Sequence, residues 1–304
     1  MKSHEFQVIA QLLRSYSGVE LNESASSIVA VKLEPLLDEF AFSSIAQLAA
    51  ALTEPGNSRL LHRVAEAVAV RESYFFRNKG VFDHLSAVTL PGLMANRMCS
   101  RRLRIWCAAC STGQEPYSLA MLLAEKGASL DGWTVEIIAT DISKDALARA
   151  RAGQYSQFEI QRGLPTTKLI KYFERSGASW QIKPEIRSRI VFYEHNLLHD
   201  CMEFGVFDII LCRNVFIYLG RELRASILGN LARCLEPDGC LVLGAAETVT
   251  GYSNDFVRTP ESQAGIFHLR SDRRSRSAQE KMQDRHVRAN RLTGEHPLEQ
   301  RILN

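Results

Sequence analysis

The stretch that decides the fold is "RIWCAACSTGQEPYSLAMLL", residues 104–123. It begins with an apolar run typical of a buried strand and ends with apolar residues at helical spacing. A tight turn separates the two parts, and Gly113 is its single glycine. A strand, a turn and a helix in this order predict the first unit of an open parallel sheet, which binds its ligand at the carboxyl ends of its strands.

The alternation of strand and helix continues to about residue 270. The later apolar runs are "VEIIAT", "RIVFYEH", "FDIILC" and "CLVLGAAE", and helical patterns begin near Gln114, Ser143, Pro165 and Arg221. Apolar runs that alternate with helices are typical of parallel strands covered on both faces. The pattern predicts an α/β domain over residues 71–270. A small excursion from its sheet is expected near residues 176–188, where glycine and proline interrupt polar sequence.

The two ends of the chain differ from this domain. Residues 1–70 hold three runs with apolar residues at helical spacing, "EFQVIAQLLRSYSGV", "SSIAQLAAAL" and "RLLHRVAEAVAV". No strand-like alternation accompanies them, so a small all-helical N-terminal domain is expected. Residues 271–304 contain few apolar groups to bury against the entropy of ordering, and they are predicted to form a flexible basic tail.

Charge and hydropathy exclude two classes of partner. The net charge of +3 resides in the tail, where eight Lys or Arg minus five Asp or Glu leave +3, so the rest of the chain is neutral. Nucleic-acid binding needs a basic face, and no nucleic-acid partner is expected. No apolar run approaches the roughly 20 residues of a membrane span, and "MKSHEFQ" lacks a signal-peptide core. We expect a cytoplasmic protein without membrane insertion.

The seven cysteines are odd in number and irregularly spaced, which does not suggest a disulfide framework. Cys107 and Cys110 form a C-x-x-C pair, but neither a second such pair nor a pair of histidines accompanies it. We interpret the two as small buried residues, because free cysteine is among the most often buried residue types. No metal site is expected.

The residues that follow the predicted strands are the candidate ligand-binding set. After the first strand come Ser111, Thr112, Gly113 and Glu115, after the second Asp141, after the third Asn196, and after the fourth Arg213 and Asn214. Each also has an ordinary structural interpretation. Asp141 could cap the next helix, Glu115 could favour the helix dipole, and the asparagines could belong to turns. Their common position at strand ends favours a functional role.

The turn itself indicates the kind of ligand. A pyrophosphate site needs several glycines so that backbone amides can close on the anion, and an acidic residue there opposes it. Here there is one glycine, with Glu115 two residues later. The loop suits a nucleoside with positive charge and no phosphate, which describes S-adenosylmethionine. Asp141 stands where a carboxylate can accept hydrogen bonds from the ribose hydroxyls.

Four ordered motifs carry a family resemblance. They are "RESYFFRNKGVFDHL", "WCAACSTGQEPYSLAMLL", "ATDISKDALARARAGQY" and "FDIILCRNVFIYL". Together they resemble the CheR-type chemotaxis receptor methyltransferases over about residues 5–270. The resemblance implies a helical N-terminal domain followed by a Rossmann-like S-adenosylmethionine domain. It also implies transfer of a methyl group to glutamate side chains on the cytoplasmic domains of chemoreceptors.

The resemblance also assigns roles by motif position. It implies that the cofactor is lined by Ser73, Arg77, Glu115, Asp141, Asn196, Leu197, Arg213 and Asn214, with Gly113 of the turn counted among the cofactor-binding residues. Arg77 and Tyr218 are expected nearest to the transferable methyl group, as the catalytic residues. This chain departs from the family at Arg71, where asparagine is usual. The second N-terminal helix, "SSIVAVKLEPLLDEF", carries only Lys32 as a basic residue where family members are often rich in arginine, which weakens the inference that this helix docks on a receptor.

The chemistry expected of such an enzyme is alignment rather than proton transfer. A glutamate carboxyl group has a solution pKa of about 4.3, so at neutral pH it is ionised and can attack a methyl carbon without a general base. The planar guanidinium of Arg77 suits a carboxylate held in one orientation. Two alternatives stay open, a methyltransferase that acts on another acceptor and a cofactor-binding signalling module without catalysis. A monomer is expected.

Overall fold

The computed structural model describes residues 1–69, 72–259 and 265–272. Its α-helices are α1 Ser3–Ser17, α2 Ser26–Glu39, α3 Ile45–Thr53, α4 Ser58–Val68, α5 Lys79–His84, α6 Leu90–Asn96, α7 Gln114–Ala124, α8 Lys144–Ala152, α9 Gln157–Gln161, α10 Thr166–Tyr172, α11 Pro184–Arg187 and α12 Arg221–Arg233. Its strands are β1 Arg102–Ala108, β2 Thr134–Asp141, β3 Gln154–Ser156, β4 Phe173–Ser176, β5 Ser179–Ile182, β6 Ile190–Glu194, β7 Phe207–Cys212, β8 Leu235–Val242, β9 Phe256–Arg258 and β10 Ile266–Leu269.

Helices α1–α4 share a core of their own at the N-terminus. Each helix carries apolar residues at helical spacing. One shared hydrophobic core contains a fully buried residue from each helix: Ile9, Leu33, Leu48 and Val64. Helix α1 ends at Gly18, whose φ of 76° is left-handed and suits glycine. Burial of these apolar faces, rather than helix propensity alone, stabilises such short helices.

The main sheet has seven strands in the order β6-β2-β1-β7-β8-β10-β9. The first five are parallel, and β10 and β9 run antiparallel at one edge. Strand β1 is the middle one of the five parallel strands, and its consecutive residues Ile105 and Trp106 belong to the cores on opposite faces of the sheet. The predicted α/β architecture is confirmed. The predicted last strand ends at Val242 rather than at Glu247.

The antiparallel edge was not foreseen from the sequence. Strands β9 and β10 contain three and four residues, which is too short to show alternation. The Nδ1 atom of His268 in β10 lies 2.9 Å from the carbonyl oxygen of Gly239 in the neighbouring strand β8. The edge therefore depends on pairing between distant segments rather than on a local pattern.

A second sheet of three strands, β3-β5-β4, stands apart from the main one. Its hairpin β4–β5 begins before the segment expected near 176–188, and β3 joins it from the end of α8. Trp180 of β5 is paired with Tyr155 of β3, and its indole Nε1 donates to the side chain of Gln157 at 2.7 Å. The sequence did not indicate β3, because a three-residue strand carries no periodicity.

Three further expectations from the sequence can be compared with the described residues. Cys107 and Cys110 are buried, as expected, and burial raises the pKa of both thiols. No helix in the described ranges is long and apolar enough to cross a bilayer. The predicted flexible tail lies outside the described residues except for Ser271 and Asp272, and Arg71 also lies outside them.

Candidate functional site

A cavity of about 210 Å³ opens at the carboxyl ends of the parallel strands. The loops after β1, β2, β6 and β7 form its floor, and the ends of α1 and α4 close it from the other side. The sequence-predicted residues that line it are Ser73, Arg77, Ser111, Glu115, Asp141, Asn196, Leu197, Arg213, Asn214 and Tyr218. The structure thus brings these ten residues from distant parts of the chain to one cavity.

Gly113 does not line the cavity, and its position explains why the loop after β1 needs a single glycine. Its φ is 93°, and an added Cβ would lie 2.9 Å from the Cβ of Ala150 and 3.2 Å from Cε2 of Tyr117. The glycine therefore permits close packing of the loop on α8. Ala109 and Ser111 also have positive φ, 56° and 52°. Left-handed backbone is costly for residues with a Cβ and is typical of functional sites.

The carboxylate of Asp141 connects two loops at the floor of the cavity. Its Oδ2 accepts from the backbone N–H of Ser111 at 2.8 Å, and its Oδ1 accepts from that of Ser143 at 2.9 Å. Helix α8 is capped by Ser143 instead, whose hydroxyl accepts from the N–H of Ala146. The alternative in which Asp141 is the helix cap is therefore wrong. Asp141 holds the strained loop after β1 in place.

Arg213 and Glu115 form a buried ion pair in the wall of the cavity. The Nη1 of Arg213 lies 2.7 Å from the Oε2 of Glu115, and the two side chains are 1% and 13% exposed. The Nη2 of Arg213 donates to the backbone carbonyl of Arg77 and to the side-chain oxygen of Asn78, both at 2.8 Å. The guanidinium thus joins the loop after β7, the start of α7 and the segment that carries Arg77.

Glu247 is a buried acid of the site that the sequence analysis missed. Its carboxylate accepts from the backbone N–H groups of Asn214 at 2.7 Å, Val215 at 2.8 Å and Gly244 at 2.6 Å. Asn214 has a φ of 61°, so this anchor holds it in a left-handed conformation. The available signal was its position as the last residue of the fifth predicted strand, at the same edge of the sheet as the other site residues.

The N-terminal helices contact the strand-end loops directly. The side-chain amide of Asn196 donates to the carbonyl of Tyr16 at 2.8 Å, while its oxygen accepts from the N–H of Leu198. The N–H of Glu20 donates to the carbonyl of Tyr218 at 2.8 Å. Asn196 therefore serves as a turn residue and as a link to α1. The sequence analysis assigned no site residue to the N-terminal helices, because these contacts join segments almost two hundred residues apart.

Arg77 and Tyr218 both line the cavity. The preceding Phe75 is fully buried and anchors the segment, and the guanidinium of Arg77 lies 5.3 Å from the ring centre of Tyr74. Its Nη1 donates to the carbonyl of Glu72 at 2.7 Å. Burial raises the pKa of Tyr218, and the positive charge of Arg77 partly opposes that rise. Tyr218 thus stays protonated near neutral pH, beside a cation.

Three polar atoms at the cavity are suited to receive a ligand. Among the described buried side-chain atoms, the hydroxyl of Ser111, the Nε2 of His195 and the Nε of Arg213 have no hydrogen-bond partner, and all three residues line the cavity. Burial lowers the pKa of His195, which favours the neutral ring. Unsatisfied buried polar atoms are rare in native proteins, so a polar ligand is the natural partner for them. A nucleoside with amino-acid groups offers such partners.

The sheet and its strand-end cavity agree with the class that the sequence comparisons give, the S-adenosylmethionine-dependent methyltransferases. The family model described as "CheR methyltransferase, SAM binding domain" matches residues 71–265. A protein of Pseudomonas putida named "Chemotaxis protein methyltransferase Cher2" is 34% identical over 268 residues, covering 87% of this chain and 97% of the relative. "Chemotaxis protein methyltransferase 1" of Pseudomonas aeruginosa is 36% identical over 270 residues, 87% of this chain and 97% of that one. The chain belongs to the CheR methyltransferase family.

A solved structure of another methyltransferase has only weak overall similarity to this chain. The TehB-like S-adenosylmethionine-dependent methyltransferase from Corynebacterium glutamicum covers 64% of this chain and 96% of its own. The sequence identity is 15% and the TM-score 0.32. Membership of the family therefore rests on the sequence matches. They make this chain an enzyme whose cofactor is S-adenosylmethionine.

Proposed function

We propose that this enzyme methylates glutamate side chains on the cytoplasmic domains of chemoreceptors. One observation carries the proposal most directly: Arg77 and Tyr218 line one cavity together with Asp141, at the strand ends of a CheR-family sheet. The names of the relatives, chemotaxis protein methyltransferases, support the same pathway. The proposal places the protein in the cytoplasm, acting as a monomer.

The cavity offers complementary groups for each part of the cofactor. When bound, S-adenosylmethionine supplies an electrophilic methyl group on a positively charged sulfur. A carboxylate can accept about four hydrogen bonds, so Asp141 can hold the loop after β1 and also accept from ribose hydroxyls. Glu115 suits the ammonium group, and its partner Arg213 suits the carboxylate. Leu197 provides an apolar wall, and the free hydroxyl of Ser111 a polar contact.

The acceptor needs orientation and desolvation rather than a base. A glutamate carboxylate is ionised at neutral pH, and one of its oxygens forms the new bond to the methyl carbon as the bond to sulfur breaks. The fork of Arg77 can hold the carboxylate through two parallel N–H bonds. Tyr218 can contribute its ring face or its hydroxyl beside the methyl group. Such alignment alone can lower a barrier by several kcal/mol.

The proposal is tested by incubating the full chain with methyl-labelled cofactor and a chemoreceptor cytoplasmic domain, followed by mild base. Label on the receptor that is released as methanol supports glutamate methylation, because methyl esters hydrolyse under conditions that spare N-methyl and ether groups. Label that resists base would show a different acceptor. Binding of S-adenosylhomocysteine without transfer to any acceptor would favour a signalling module that lacks catalysis.

A further inference from the structure

Two buried cysteines outside the cavity stand unusually close together. The sulfur atoms of Cys201 and Cys234 lie 2.6 Å apart, and both residues are buried. A disulfide bond measures about 2.0 Å, so the two sulfurs need to approach by only a small further distance. The sequence suggested seven unpaired thiols, and the spacing of 33 positions between these two gave no reason to connect them.

The surroundings of the pair bring the two sulfurs together from separate elements. Cys201 lies in the loop between β6 and β7, immediately before a short helical turn, and Cys234 caps the end of α12. The carboxylate of Asp200 and the guanidinium of Arg233 form an ion pair at 3.2 Å beside them. The N–H of Phe207 donates to the carbonyl of Cys234 at 2.8 Å, which fixes the end of α12 on β7. Neither thiol contributes to the cavity described above.

The loop provides access to one of the two thiols. Cys201 is buried, but the neighbouring Asp200 and Met202 are exposed, so a local opening of a few residues uncovers its sulfur. Cys234 is held in the C-terminal turn of a thirteen-residue helix and is less easily exposed. Cys201 is therefore the thiol that a small oxidant meets first, and Cys234 is placed to react with it when the loop closes.

We propose that Cys201 and Cys234 are a redox pair that forms a reversible disulfide when the protein meets a hydroperoxide. The sulfur of Cys201 attacks one peroxide oxygen, the O–O bond breaks, and a sulfenic acid and one water molecule result. The sulfur of Cys234 then attacks the sulfenic sulfur, forming the S–S bond and releasing a second water. Two thiols are oxidised to one disulfide, and hydrogen peroxide is reduced to two water molecules. A dithiol reductant reverses the change.

The disulfide would tie the β6–β7 loop to α12. This loop begins with Asn196 and Leu197, which line the cavity. In the oxidised protein the part of the loop that holds Cys201 would be attached covalently to the end of α12. A cross-link between distant positions raises stability by restricting the unfolded chain. The oxidised protein is therefore expected to melt several degrees higher than the reduced one, and the difference disappears on reduction.

Peptide mapping of the native full chain tests the proposal. The protein is treated with hydrogen peroxide, its remaining thiols are alkylated, and it is cleaved after Lys, Arg and Glu residues. Glu203 separates Cys201 from Cys212, but Pro237 blocks cleavage after Glu236, so Cys234 and Cys240 share the peptide of residues 234–247. We expect residues 195–203 joined to residues 234–247, with the loss of two hydrogens and release by dithiothreitol. Fragment spectra should place the link at Cys234 and the alkyl group at Cys240.

Matched variants make the outcome specific. Cys201→Ser is expected to abolish both the linked peptide and the rise in melting temperature, whereas Cys99→Ser, which removes an exposed thiol, leaves both unchanged. Oxidation confined to Cys99, a Cys107–Cys110 link in place of the expected one, or sulfinic acids without any link would overturn the proposal. If Cys201→Ser does not fold, the map of the unmutated protein decides alone.

Discussion

Several residues of the site adopt backbone conformations that cost free energy, and each is held by a specific partner. Ser111 has a φ of 52° and donates its N–H to Asp141, and Asn214 has a φ of 61° and donates its N–H to Glu247. In both places a carboxylate stabilises a loop at the end of a strand. The acids of the site therefore arrange the backbone as well as offering acceptors to a ligand.

At this scale we expect Asp141→Ala to weaken binding of S-adenosylhomocysteine by about 2–4 kcal/mol, because hydrogen bonds to charged groups contribute about 1.5–3 kcal/mol each. Asp141→Asn retains one acceptor oxygen and is expected to lose less. Titration calorimetry measures both affinities. Asp145→Asn is the control, since Asp145 lies on the same segment but pairs with Arg63 outside the cavity. Equal affinity in Asp141→Ala and the unmutated protein would remove Asp141 from the cofactor site.

Arg77→Lys tests the geometry of the cation, since it keeps the charge and loses the fork. We expect turnover to fall by at least about tenfold, a loss of about 1.4 kcal/mol in transition-state stabilisation, with a smaller change in cofactor affinity. Steady-state methylation kinetics supply kcat and KM.

Arg162→Lys is a matched control for this substitution. The guanidinium of Arg162 lies over the same Tyr74 ring, at 5.1 Å, and pairs with Glu72, yet Arg162 does not line the cavity. We expect near-normal turnover in this variant. A similar loss in both variants would mean that Arg77 acts by supporting Tyr74 rather than by contacting the acceptor.

At the scale of elements, helix α4 is fastened to the start of α8 by one buried acid. Glu66 accepts from the hydroxyl of Ser143 at 2.9 Å and from the N–H of Asp145 at 3.2 Å, and it pairs with Arg63 at 2.6 Å. Ser143 in turn donates its N–H to Asp141. A continuous set of hydrogen bonds thus connects the N-terminal helices to the carboxylate expected to bind ribose.

Glu66 should make stability depend on pH in the acidic range. Burial opposes its ionisation, but hydrogen bonds from Arg63, Asp145 and Ser143 outweigh that effect and lower its pKa below 4.5 in the folded protein. An acid whose folded pKa is lowered stabilises the fold above its unfolded pKa, and this contribution is lost as the pH falls through the folded pKa. We expect Glu66→Gln to lower the melting temperature at pH 7 and to flatten its decline below about pH 4.5.

Thermal melts from pH 7 to pH 3 measure this effect, with Glu39→Gln as the comparison. Glu39 also pairs with Arg63, through both carboxylate oxygens, and in the part of the chain that the structure describes it makes no hydrogen bond to α8. We expect its pH profile to follow that of the unmutated protein more closely. Identical profiles for Glu66→Gln and the unmutated protein would contradict the role given to this carboxylate.

At the scale of the whole molecule, the cavity is shared between the N-terminal helices and the sheet. Residues 17 and 19–21 from the end of α1, and Ala65, Val68 and Ala69 from α4, line it together with the strand-end loops. A ligand held there contacts both parts at once. Cofactor binding is therefore expected to stabilise the attachment of the helices as well as the loops.

Hydrogen exchange with and without S-adenosylhomocysteine tests this expectation. Amides at residues 17–21 and 65–69 should exchange more slowly with the ligand, by up to about 100-fold when its concentration is 100 times its Kd. The hairpin β4–β5, which does not line the cavity, should be unaffected and serves as the internal control. Slowing limited to the loops after β1 and β2 would show that the helices do not close the site.

The sequence by itself determined the sheet and the chemical character of its binding edge. Apolar runs such as "FDIILC" must be buried, which indicates the strands of the sheet. A turn with one glycine and Glu115 does not suit a pyrophosphate, which indicates the kind of ligand. Each conclusion needs only the local sequence pattern. Motif positions also placed Arg77 and Tyr218 at one site, although they lie far apart in the chain.

Only the tertiary structure decided which partners hold these residues. The anchoring of Asn214 by Glu247, the link from Asn196 to Tyr16, the closeness of Cys201 to Cys234, and the packing of Gly113 on Ala150 all join segments that sequence patterns treat separately. Short strands such as β3 and β9 form for the same reason, since pairing stabilises them and periodicity does not. Sequence periodicity reports which face of an element is apolar, whereas contacts between distant loops depend on how whole elements pack.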